Sequence, residues 1–215
     1  GIRPKEKAES LRRRFPVFQA LLQAKYRDPD AAERAFRRTL EQQPNDPVAH
    51  FGLGLREKED SNYQAAESHL RRAVELRPDL VPVRVHLAET YQLQGRYQEA
   101  IRVLEEAPRE DASDRRILFL LATSYQSLEQ YDRAIRLFEQ LRSREPVEDE
   151  VFYNLGFCYG RLNRLALAHY NFGLYFKRSG KLSKARFHFE KARELGRNDP
   201  ALLRKADKAL ESLSR

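Results

Sequence analysis

Five histidines and one cysteine have the broadest chemical reach in this sequence, and their spacing decides what they can do. Two histidines four apart on one helix, with a glutamate between them, hold a catalytic zinc. His50, His69, His86, His169 and His188 offer no such spacing. His169 and His188 fall on neighbouring helices where they can approach each other, and they are expected as interface histidines rather than metal ligands. Cys158 is the single cysteine, so no internal disulfide forms. Its apolar helical surroundings predict a small buried hydrophobe, not a nucleophile. The phosphate loops G-x-x-x-x-G-K-[ST] and G-x-G-x-x-G are absent, and so is the G-x-S-x-G nucleophile turn. Acidic residues are plentiful, but they stand at helical spacing from arginines, as Glu67 does from Arg71, which is the pattern of surface ion pairs. No catalytic residue, metal or cofactor is expected.

What remains is surface and shape. The chain has 215 residues, 33% of them charged and 41% hydrophobic, with a net charge of +8. No apolar run approaches the roughly 20 residues of a membrane-spanning helix. The first dozen residues lack the apolar region of a signal peptide. Methionine is absent, from which the chain is expected to be a piece of a longer one, cut at Gly1. The charge is uneven: residues 1–38 hold 11 Lys/Arg against 5 Asp/Glu, and residues 39–215 hold 29 against 27. Arg12, Arg13 and Arg14 form one basic cluster. Lys177, Arg178, Lys181, Lys184 and Arg186 form another. Such clusters suit nucleic acid, anionic lipid or an acidic protein surface, or simply a solvated helix face.

The elements that carry these side chains repeat. Gly54, Ala88, Ala122 and Gly156 stand 34 residues apart, and so do Ala66, Ala100, Ala134 and Ala168, and Tyr63, Tyr97 and Tyr131. Each unit reads as two antiparallel helices, with small residues where the backbones must approach. Turns are expected at Gly95 and near Asn163, and Pro44, Pro78 and Pro146 end second helices. The phase gives units 13–46, 47–80, 81–114 and 115–148, after a leader at 1–12. The last unit starts at 149 and is interrupted. Restarting at 166, half a period on, makes Gly173 the small residue of a first helix, Gly180 its turn, and Ala185, Phe189 and Ala192 its partner helix. The expected organisation is therefore 149–165 plus a shifted unit 166–199, in an array ending at 197. A capping helix over 198–215 begins near Asp199. One helix, roughly 165–178, then packs on both sides.

This pattern resembles the tetratricopeptide repeat over nearly the whole chain. The resemblance implies an all-α, right-handed superhelix of helix pairs that binds protein or peptide along a concave face lined by first helices. The matching positions here are Phe51, Leu55, Val85, Phe119, Tyr153, Asn154 and Phe157. Relatives that clamp a peptide carboxylate place Lys, Asn and Arg there, and only Asn154 matches. An apolar segment is the partner these residues suit.

Residues 152–200, FYNLGFCYGRL through GRNDP, also resemble the end of the repeat region attached to bacterial zinc metallopeptidases related to the β-barrel assembly-enhancing protease. The leader RPKEKAESLRRR is similar to the segment joining the two domains in that family. The resemblance implies a periplasmic location and work on outer-membrane protein assembly, with the upstream protease domain itself among the candidate partners. None of the zinc ligands lies in this chain. Two other readings stand beside it: a segment of an unrelated repeat scaffold, and a binder of nucleic acid or anionic surfaces through the basic clusters, the least expected of the three.

Overall fold

The computed structural model describes residues 28–107 and 114–213. The leader 1–12 with Arg12, and Arg13, Arg14 and residues 15–27 of the expected first unit, lie outside them. Eleven α-helices and no strand occur among the described residues. They are α1 Pro29–Gln42, α2 Pro47–Glu59, α3 Tyr63–Leu76, α4 Val81–Leu93, α5 Tyr97–Glu105, α6 Arg115–Ser127, α7 Tyr131–Arg142, α8 Asp149–Arg161, α9 Leu165–Arg178, α10 Leu182–Leu195 and α11 Pro200–Glu211. The fold is all-α, built of helix hairpins, in the α–α solenoid class. Two compact units divide within α6, at Leu120 and Leu121.

Two kinds of junction recur, and each is written in local chemistry. Three helices open on an aspartate cap followed by proline. The Asp28, Asp46 and Asp199 carboxylates accept from backbone N–H groups of the first turn, satisfying donors the helix leaves unpaired. The other kind is a tight turn on a left-handed residue. Ser61, Gly95, Glu129, Asn163 and Gly180 have φ of 62°, 74°, 58°, 58° and 72°. Every one carries the same pair of hydrogen bonds. In the last turn, Gly180 N–H donates to Lys177 O and Lys181 N–H to Phe176 O, closing the ends of α9. The first four turns are one period apart. The fifth comes half a period after the fourth.

That early turn gives α9 two roles. It is bounded on both sides by tight turns and packs on both α8 and α10. On one side it presents Phe172 to Gly156 of α8, where an added Cβ would come within 2.8 Å of the ring. On the other it presents its own Gly173 to Phe189 of α10, where an added Cβ would meet the ring at 2.4 Å. After α10 the junction is again Asn-Asp-Pro, at 198–200, as at 45–47.

The first unit buries Phe51, Leu53, Leu70, Val83, Val85, Leu104 and Ile117. The second buries Phe138, Leu141, Val151, Leu155 and Phe189. Ala185 and Phe189 join Ala209 and Leu210 in a cluster that holds α11, with Tyr170, Leu174, Phe176 and Leu213 packed around it.

Candidate protein-docking face

Positions 51, 85, 119 and 153 stand one period apart on first helices, yet the structure treats them differently. Phe51, Leu55 and Val85 are buried, and this corrects their expected place on an open binding face. The reason is that α2 and α4 are enclosed nearly all round: Ala49 and Phe51 through Leu55 are buried, as are Val83 through Ala88. Phe51 lies against the His86 ring, centroids 5.6 Å apart, and belongs to the core. Phe119 is half-buried. Tyr153 and Phe157 are 47% and 37% exposed. Asn154, half-buried, donates its amide to the Glu150 carbonyl of its own helix at 2.9 Å.

In the first unit the corresponding helices carry charge, already paired. Lys58 Nζ lies 2.7 Å from Glu89 Oε2, and Arg116 donates to Glu89 Oε1 at 2.7 Å. Burial alone would raise the Glu89 carboxyl, but hydrogen bonds and charge from His86 and Lys58 hold it well below the usual range. Burial pushes His86 down. The chain's own carboxylate thus occupies the cations that a ligand carboxylate would need.

The second unit carries rings instead. Tyr153 meets Phe172 at 5.6 Å and Tyr175 at 5.3 Å between centroids, both edge-on. Phe172 lies 5.5 Å from His188, and His188 stacks on Phe176 at 5.2 Å. Phe187, 51% exposed, touches His169 and His188. Phe157 meets Tyr131 edge-on at 6.2 Å. These contacts form an aromatic strip across α8, α9 and α10. Because α9 is packed on both flanks, its rings link Tyr153 on α8 to those on α10, while Phe157 extends the same helix toward Tyr131 of α7.

His169 and His188 do meet: their Nδ1 atoms are 3.0 Å apart. So do His50 and His69, also at 3.0 Å. The two pairs are three and a half periods apart, so the half-repeat brings them to one hairpin register. His50 Nε2 faces the Pro44 carbonyl at 3.0 Å and must donate, which leaves its Nδ1 to accept from His69. A centroid separation of 5.3 Å is that of two rings meeting head-on through Nδ1. This geometry suits a shared proton, whereas a metal needs two lone pairs converging on a third point. Among the described residues no group of three or more His, Cys, Asp or Glu could hold a metal ion.

Burial is the main cause that lowers His69, His169 and His188 from 6.5, and their histidine partners push His69 and His188 down further. A lowered folded-state value means that the unfolded chain binds more protons in the interval below 6.5. Stability is then complete above that value and lost as pH falls through the folded values. Urea midpoints at about pH 7.5 and about pH 5.5 should show this loss in the parent and a smaller one in a His69→Gln/His188→Gln variant. An equal loss in both proteins would assign the pH dependence to other groups.

The basic surface near the α9–α10 turn separates into committed and free cations. Arg178 donates to the Asp149 carboxylate and to the Val147 carbonyl. Lys177 Nζ donates to Ser212 Oγ at 2.6 Å. Lys184 Nζ sits 5.5 Å over the Phe176 ring, and both Lys181 and Lys184 are exposed. Cys158 is buried against Gln126, its thiol pushed up to about 12 by burial. Among the described residues no helix is long and apolar enough to cross a membrane.

Sequence reasoning missed the His50–His69 pair and the linkage of the rings through α9. The repeat spacing, once shifted by half a period, superimposes both histidine pairs and was the available signal. A tetratricopeptide-repeat family model matches residues 19–80 and 119–170, more than half of the chain. A second tetratricopeptide-repeat model matches residues 58–123. No curated protein matches the chain in sequence. Solved structures are similar in fold. A crystal structure of MamA has 22% identity and a TM-score of 0.66, covering 72% of this chain and 91% of that one. The segment of MamA from residue 41 to the end, from Desulfovibrio magneticus RS-1, has 21% identity and a TM-score of 0.62, covering 87% and 96%. A structure of MamA MSR-1 has 18% identity and a TM-score of 0.66, covering 81% and 98%. At these identities the likeness concerns the fold alone.

Proposed function

We infer the function from the family to which this chain belongs, the tetratricopeptide-repeat proteins: it is a protein-interaction module, and its docking face is the aromatic strip of the second unit. The observation that carries this is the exposure of Tyr153 and Phe157 on α8, where the counterpart helices α2 and α4 bury Phe51, Leu55 and Val85. Exposed aromatic rings at a small cluster are the usual anchors of an interface, because each removes much apolar area from water at little entropic cost. The ligand is a protein segment with apolar anchors.

The test is fluorescence anisotropy with a labelled apolar peptide. A Tyr153→Ala/Phe157→Ala variant should bind about thirtyfold more weakly than the parent, corresponding to loss of about 2 kcal/mol. Both residues are partly exposed, so the fold should persist, and unchanged melting of the variant checks that. Equal binding by the two proteins overturns this assignment of the face.

A finer reading is supported by sequence resemblance only. Residues 152–200 and the leader 3–14 resemble the repeat region and joining segment of periplasmic zinc metallopeptidases. We propose on that ground that the module works in the periplasm beside such a protease and docks segments of outer-membrane proteins. The coding sequence upstream of Gly1 tests this. An H-E-x-x-H domain there would support it, and any other upstream sequence would leave the module a scaffold of a different parent protein.

A further inference from the structure

From Val151 to Phe189 the chain contains no Asp or Glu, although 32 of its 215 residues are acidic. The same stretch holds seven cations, Arg161, Arg164, Lys177, Arg178, Lys181, Lys184 and Arg186. It is also the stretch that carries the aromatic strip. Acidic residues elsewhere supply several of these cations with partners: Arg161 pairs with Glu129, Arg164 with Asp132 and Arg178 with Asp149. Lys181 and Lys184 have no carboxylate within salt-bridge reach among the described residues. Both lie at the α10 end of the α9–α10 turn, where Lys184 covers Phe176.

We infer that Lys181 and Lys184 receive acidic side chains of the docked segment, so that the partner is a protein segment with apolar anchors and Asp or Glu a short distance along the chain. This rests on the docking face proposed above and specifies its occupant. The distance follows from the rings. Contacts of 5.2 to 5.6 Å run from Tyr153 through Phe172, His188 and Phe176 to the Lys184 ammonium. They bound the span at about 22 Å, which an extended chain of about seven residues covers. The acidic residues therefore lie within about seven residues of the anchors.

Nucleic acid fits this surface less well. A strongly salt-dependent nucleic-acid site neutralises about 6–10 phosphates, and here three of the seven cations, Arg161, Arg164 and Arg178, already face carboxylates. Two uncommitted ammonium groups suit a short acidic patch. Exposed pairs of this kind contribute little each, so the flank tunes a grip that the rings provide.

The experiment uses three labelled peptides of about fourteen residues, with identical Phe and Leu anchors and a flank of Asp, Ser or Lys. The Asp peptide should bind the parent about fivefold more tightly than the Ser peptide, and the Lys peptide most weakly. The Asp advantage should shrink in about 0.5 M salt and disappear in a Lys181→Gln/Lys184→Gln variant, while binding of the Ser peptide is unchanged. Equal binding of the Asp and Ser peptides to the parent overturns the inference and leaves the docking face standing. Failure of all three peptides to bind overturns both. An oligothymidylate of about thirty nucleotides, or vesicles rich in phosphatidylserine, serves as control. Binding of either that is tighter than the Asp peptide and lost in the lysine variant would also overturn the inference.

Discussion

Replacing Phe189 with alanine should cost the second unit about 3–5 kcal/mol, the largest single loss expected in this chain. The ring is fully buried and fills the space that Gly173 leaves open on α9. Its cluster also includes Ala209 and Leu210, so the loss should extend to α11, which has no other cap beyond it among the described residues. Thermal melting should shift down on the order of 10 °C, and amide exchange in α11 should rise before that in α7. Melting within a degree or so of the parent would mean that α10 and α11 are held by other contacts.

Gly173→Leu attacks the same crossing from the opposite side. A Cβ alone would stand 2.4 Å from the Phe189 ring, and that ring is enclosed and has nowhere to move. Overpacking of this kind costs about 1–3 kcal/mol, against which leucine's better helix propensity returns about 1 kcal/mol or less. The net effect is destabilising. The double variant Gly173→Leu/Phe189→Ala should then be more stable than the sum of its single changes by about 0.5 kcal/mol or more, because the new side chain enters the vacated space. Strict additivity in urea melts would show that the two residues do not share a crossing.

The fold class was legible because hairpin packing is periodic. Small residues at the close approaches, and tyrosines at 63, 97 and 131 where second helices start, recur every 34 residues. Turn positions were partly legible. Gly95 and Gly180 announce left-handed backbone, whereas Ser61 and Glu129 adopt it with side chains that do not favour it. Their conformation is imposed by the hydrogen-bond pair that closes each helix.

The candidate site was less legible, for a reason that periodicity cannot cure. Phe51, Val85 and Tyr153 occupy one register, yet the first two are buried and the third is half open. Exposure depends on what neighbouring helices place opposite, and that information lies on other segments of the chain. The basic cluster shows the same limit. Lys177, Arg178, Lys181 and Lys184 look alike in sequence, but Arg178 closes on Asp149 from the preceding helix. The acid-free run from Val151 to Phe189 was visible in the sequence and is found by counting the missing charge instead of the present one.

Site-directed photo-crosslinking shows whether a partner segment lies along the aromatic strip of the second unit. A photoreactive phenylalanine analogue is placed at position 157 or 187 in the strip, or at exposed position 64 on α3 as a reference. Each protein is irradiated with the labelled apolar peptide carrying the Asp flank. Adducts are expected from positions 157 and 187, competed away by unlabelled peptide, and none from position 64. Adducts from position 64 alone, with none from the strip, would contradict this and move the docking face to the first unit.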